Sequence, residues 1–256
     1  MNEKKNKSAR KVLLVGISAV LVAAISVGST LAYLSAITTS KDNTFTASGD
    51  IKGRLLEPSW STEVSSDAAQ YVPGKTYAKD PTVDNETPDA AVYVGAKLIF
   101  QIDVGDGNGL QTVDYDTFSH FVTLADYTGS GWTEKSVSGD TTSKYFMYNT
   151  VLTKDADEGN TLGASATDHT SALFTSVTPS KDINIKSNGT ATKDNLTSTA
   201  DLSSLYFKKF DFKIKVFSHG VKAYTVDKTS GNKVGTDVST ASEAENEILS
   251  KLASKN

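Results

Sequence analysis

Apolar residues recur at every second position over residues 92–104. Val92, Val94, Ala96, Leu98, Phe100, Ile102 and Val104 fall on one face, with Tyr93, Lys97, Gln101 and Asp103 on the other. Seven matches at period two predict a strand with one buried face, and only Gly95 and Ile99 interrupt its polar side. A second alternation runs over 209–216 and on through Phe217, with Phe210, Phe212, Ile214 and Val216 opposed to Lys209, Asp211, Lys213 and Lys215. Ser218-His219-Gly220 then predicts a break before a further short strand over 221–226. Shorter strands are expected at 145–152, 183–185 and, more weakly, 51–56. Val72-Pro73-Gly74, Asp106-Gly107-Asn108-Gly109 and 128–131 punctuate them as turns. Helix signals are few. Thr240 with Glu243 forms a capping box before a stripe of Ile248, Leu249 and Leu252, predicting a helix over 240–252. Residues 114–126 and 170–174 are expected to hold short helices, and 155–169 a polar surface loop. Many strands joined by polar loops predict an all-β fold, a single β-sandwich of jelly-roll or immunoglobulin-like type with a few short helices.

The first fifty residues break this pattern. Lys4, Lys5, Lys7, Arg10 and Lys11 precede an apolar run of about 16 residues over 12–27, followed by Ser29-Thr30-Leu31-Ala32. The run is short for a membrane span of roughly 20 residues. Charge, apolar run and small residues in that order predict a cleaved signal peptide over 1–32, cut between Ala32 and Tyr33. Cleavage after Ala36 is the runner-up, and an uncleaved anchor the alternative. The expected organisation is therefore a leader (1–32), an N-terminal tail (33–50) and one sandwich domain (51–256). No membrane association is expected once the leader is removed, and the C-terminal end shows no wall-sorting motif.

Composition narrows the chemistry. The chain has 256 residues, 26 basic and 30 acidic. Removing the leader's five basic residues and one acidic leaves 21 and 29, a net charge of −8. That sign argues against nucleic acid or anionic lipid as partner. With no cysteine, stability must come from the core, which about 220 residues suffice to build. The three histidines, His120, His169 and His219, lack the spacing of a zinc peptidase, and no nucleophile elbow is present. No catalytic residue and no cofactor are expected. Asp103, Asp106 and Asn108 form a weak calcium candidate in a glycine turn, and the acidic run of Asp80, Asp84, Asn85, Glu86 and Asp89 a similar one. Trp60 and Trp132, both in polar loops, are candidates for stacking on a sugar.

Tyr33 to Ile51 is a different kind of segment, with Leu34, Ala36, Phe45 and Ala47 scattered among Thr and Ser and no proline. Such a tail is a candidate donor strand for the open sheet edge of a neighbour. The junction Thr30-Leu31-Ala32-Tyr33 followed by Lys41-Asp42-Asn43-Thr44-Phe45-Thr46-Ala47-Ser48-Gly49 resembles the export signature of the TasA and camelysin family of Gram-positive bacteria. Weaker likenesses follow at Tyr71-Val-Pro-Gly74, at 80–85, along 91–100, at 145–152 with 170–174, and over 210–224 with the C-terminal helix. The resemblance implies processing by a dedicated signal peptidase and secretion to the matrix or cell surface. It also implies polymerisation with other copies of itself, together with a minor fibre or anchoring protein. Two alternatives stay open: a camelysin-type metallopeptidase using His120, His169 or His219, and a carbohydrate-binding adhesive sandwich.

Overall fold

A computed structural model describes residues 51–60, 72–127, 131–153, 167–227, 229–230 and 232–256, together with the backbone of 44–47. Fourteen strands and two α-helices are assigned among them, and the fold is all-β and sandwich-like. The strands are β1 (Thr44–Ala47), β2 (Gly53–Leu56), β3 (Tyr77–Ala78), β4 (Thr82–Asn85), β5 (Ala90–Asp103), β6 (Gln111–Val113) and β7 (Val122–Ala125). They continue as β8 (Trp132–Lys135), β9 (Lys144–Tyr148), β10 (Ser176–Pro179), β11 (Asn184–Ile185), β12 (Tyr206–Phe207), β13 (Asp211–Val226) and β14 (Lys233–Asp237). The helices are α1 (Tyr115–Phe121) and α2 (Ala241–Ala253).

The largest sheet runs in the order β1-β13-β5-β9-β8, with β14 added to β13 and β6 to β5. Its spine is the antiparallel pair of β5 and β13, in register from Asp103 opposite Asp211 to Ala90 opposite Thr225. The apolar face of β5 meets Phe212, Ile214 and Val216 of β13, and on it pack α1, β4, β7 and β10. A chain of aromatic contacts from Phe100 through Phe118 and Phe212 to Phe210, Phe121 and Phe207 fills this layer. Smaller sheets, β3-β10-β7, β11-β12 and β2-β4, complete the second layer.

The other face of β5 departs from expectation. Lys97 is 2% exposed and Ile99 is buried, because α2 lies across this side of the sheet. Ala244, Ile248 and Leu252 of the helix meet Ile99, Tyr145, Met147, Phe217 and Val221. Gly95 is what lets the helix settle. A Cβ there would fall on Ile248 Cγ2 and lie 2.9 Å from the Phe146 carbonyl oxygen. The expected capping box does form: Thr240 accepts from Glu243 N, and Glu243 accepts from Thr240 N at 2.9 Å.

Other boundaries shift too. The break expected at Ser218-His219-Gly220 is absent, since these residues pair with Ala96, Gly95 and Val94 within the β5 ladder, and Ser218 Oγ donates to Gly95 O at 3.0 Å. The irregularity lies later, between Lys222 and Tyr224. Residues 170–174 form no helix. Their backbone instead bonds the β4 segment, Thr170 N to Val83 O and Leu173 N to Pro81 O. The helix expected over 114–126 stops at Phe121 because Val122–Ala125 pairs with β10. The strand expected to reach Leu152 ends at Tyr148, leaving Leu152 as an isolated bridge to Val92.

Candidate functional site

The outward edge of β13 is the most distinctive binding geometry. Ladder bonds to β5 take up one side of the strand. On the other side β1 runs parallel beside residues 217–220, with Thr44 opposite Phe217 and Ala47 opposite Gly220. β14 takes the far end, at Tyr224 to Val226. A parallel edge strand of four residues is a short and weak form of pairing. Directly after it the chain is firmly held. Ile51 is buried in the core, Lys52 N donates to Thr87 Oγ1 at 2.8 Å, and Thr87 Oγ1 donates back to Lys52 O at 3.0 Å. The arm upstream of Ile51 thus leaves from a fixed root.

A charged group marks the start of β13. Lys209 Nζ lies 3.0 Å from Asp103 Oδ2 and also meets Asp211 Oδ2. Burial pushes the Asp211 carboxyl above the usual carboxylate range, against the pull of Lys209. Burial lowers the Lys209 ammonium, but its hydrogen bonds to Asp211 and Asp103 outweigh this and raise it. Asp103 and Asp211 are cross-strand neighbours, so Lys209 offsets a repulsion that the ladder would otherwise impose.

The predicted site residues scatter. Ala32, Tyr33, Leu34 and Ala36 lie outside the described residues, whereas Phe45 and Ala47 belong to β1. In the calcium candidate, Asp103 is committed to Lys209 and to Gly105 N, at 3.0 and 2.9 Å. Asp106 accepts from Asn108 N at 3.0 Å and from Gln111 Nε2 at 3.1 Å. The acidic run is β4 and its flanks, where buried Asp84 is held by Arg54 at 2.7 Å. Among the described residues, no three His, Asp or Glu side chains gather as a metal site.

The histidines sit in three separate places. His120 on α1 contacts Ala200 O at 2.5 Å, His169 Nδ1 lies 2.6 Å from buried Asp168, and His219 is buried beneath α2. Trp132 corrects the sugar-stacking expectation. It is 6% exposed, its Nε1 donates to Ser171 O at 2.9 Å, and Tyr148 closes on its ring. Trp132 opens β8, which carries its ring inward. Trp60 is half-buried with the Lys79 ammonium 4.7 Å from its ring centre.

Sequence reasoning missed the site's most consequential partner, the uninterrupted β13. The histidine and glycine that read as a break continue the ladder, His219 opposite Gly95 and Gly220 opposite Val94. Among the described residues, no helix is long and apolar enough to cross a membrane. No family model, curated protein or solved structure matches this chain.

Proposed function

We propose that this chain is the exported structural subunit of an extracellular matrix fibre, in which residues 33–50 of one copy pair with the β13 edge of the next. One observation carries the reading: four residues of the arm, Thr44–Ala47, lie as a strand on the outward edge of β13. The register that opposes Thr44 to Phe217 directs any strand continuing upstream along 211–216, in the same parallel ladder. A neighbour's strand taking this register would place its main-chain hydrogen bonds between two copies along the same edge. The basic leader, the apolar run and the likeness of the export junction to the TasA and camelysin family support the secreted setting. Its partners are further copies of itself, a minor fibre or anchoring protein, and the signal peptidase that frees Tyr33. No cofactor and no catalytic residue enter the reading.

The test is imaging. Purified chains beginning at Tyr33 and at Ile51 are compared by electron microscopy. Filaments are expected from the longer chain only. Filaments from both would keep the polymer and discard the arm, and folded monomers from both would overturn the proposal.

A further inference from the structure

The chain contains two Asn-Gly dipeptides, Asn108-Gly109 and Asn188-Gly189. Both asparagines are exposed, so solvent access does not distinguish them. Their following peptide units do differ. Gly109 lies in the loop between β5 and β6 with φ +68°, and neither it nor Gly107 has anything within 4 Å of where a Cβ would be. Among the described residues, no hydrogen bond engages the Gly109 N–H. Gly189 is wedged instead. Its N–H donates to Lys186 O at 2.9 Å, and a Cβ there would stand 2.6 Å from both Lys208 N and Tyr206 O. The next turn is stitched to the same place by Ala191 N donating to Tyr206 O at 3.0 Å.

We propose that Asn108 is a site of spontaneous modification, converted to aspartate and isoaspartate by its own backbone, and that the fold protects Asn188 from the same reaction. The Gly109 nitrogen gives its proton to solvent and attacks Asn108 Cγ. The new N–Cγ bond closes a five-membered imide while the Cγ–Nδ2 bond breaks, and the side-chain nitrogen leaves as ammonia after taking a proton from solvent. Water then opens the imide at either carbonyl. Opening at Cγ gives aspartate, and opening at the backbone carbonyl gives isoaspartate. The net change is one water consumed and one ammonia released, with no oxidant or other reactant. Glycine suits the attack because no Cβ blocks the approach and its backbone turns freely. At Gly189 the same rotation would break the bond to Lys186 and drive the peptide into the β12 backbone. Each event adds a negative charge to a loop that already holds Asp103 and Asp106. The isoaspartyl form also inserts a methylene into the main chain.

Tryptic peptides separate the two sites, since residues 98–135 contain Asn108 and residues 187–193 contain Asn188, each as the peptide's only asparagine. The folded chain is held at mildly alkaline pH and physiological temperature, sampled over time, digested and analysed by chromatography with mass detection. The 98–135 peptide is expected to split into two products, each carrying the mass gained when an amide becomes an acid, while 187–193 stays intact. In urea both peptides should convert, and Gly109→Ala should slow the first several-fold in the folded chain. Equal rates for both peptides in the folded chain would overturn the proposal. So would a 98–135 peptide that converts in urea but not in the folded state.

Discussion

Lys97 places an ammonium group inside a sheet face, and the surrounding groups show how the fold tolerates it. Its Nζ donates to Lys255 O at 2.7 Å, lies 3.5 Å from Asp140 Oδ2 and sits 5.2 Å from the centre of the Tyr145 ring. Burial pulls its pKa below the ordinary lysine value, opposed by the charge of Asp140. Burial also acts to raise the Asp140 carboxyl. Hydrogen bonds from Tyr145, Ser143 and Thr142 prevail and hold it well below the usual range. Lys97→Ala should cost about 2–3 kcal/mol, because it strands a carbonyl and a carboxylate that were matched to a cation. Urea denaturation measures this, and Lys97→Met should cost less because it keeps the packed stem. His219, on the same face, gives a pH dependence. Burial lowers its pKa, Lys251 and Lys255 reinforce the shift, and Glu247 opposes it. Its folded value therefore lies below the unfolded value of about 6.5, so its full contribution is present above that pH and is lost as pH falls. The urea midpoint should drop between about pH 7.5 and pH 5.5, and His219→Gln should flatten that drop. A drop of the same size in both chains would remove His219 as the cause.

At the scale of elements, α2 and β5 are joined through a single missing side chain. Gly95→Ala should destabilise by about 1–3 kcal/mol, the usual range for overpacking, because Ile248 has nowhere to go. Combining it with Ile248→Ala should cost less than the two single changes summed, a coupling that a double-mutant cycle measures. β8 gives a parallel case. Trp132→Ala should cost about 3–5 kcal/mol of stability as a core truncation, read from the same urea titration. These elements also mark what the sequence made legible. Alternation revealed β5, the apolar half of β13 and the sandwich class, because period-two burial leaves a direct imprint on residue order. The capping box revealed α2. The imprint failed where a second layer arrives from a distant part of the chain. Lys97 keeps polar chemistry whether water or a helix covers it, and the helix comes about 150 positions later. Short strands such as β3 and β12 contain two residues each, too few to show any period. The candidate site was half legible. The arm stood out as a tail with scattered apolar residues, but the edge receiving it was hidden by a Ser-His-Gly sequence that usually punctuates.

For the molecule as a whole, the order in which partners appear along the chain has a consequence for timing. β5 is synthesised early, yet the strand that completes it comes near the end, as in the bond from Ser218 to Gly95, which spans 123 positions. Lys97 waits longer still, for a carbonyl 158 positions ahead. Local contacts alone cannot close such a sheet, and pairing of this range is intrinsically slow. A nascent chain that ends before β13 should therefore remain open to protease, while one that includes α2 should resist it. Ribosome-bound chains halted at those two points would show the difference. Until its final helix is made, the polypeptide has no finished core, and an unfinished core is the form in which a chain can still be threaded through a narrow pore.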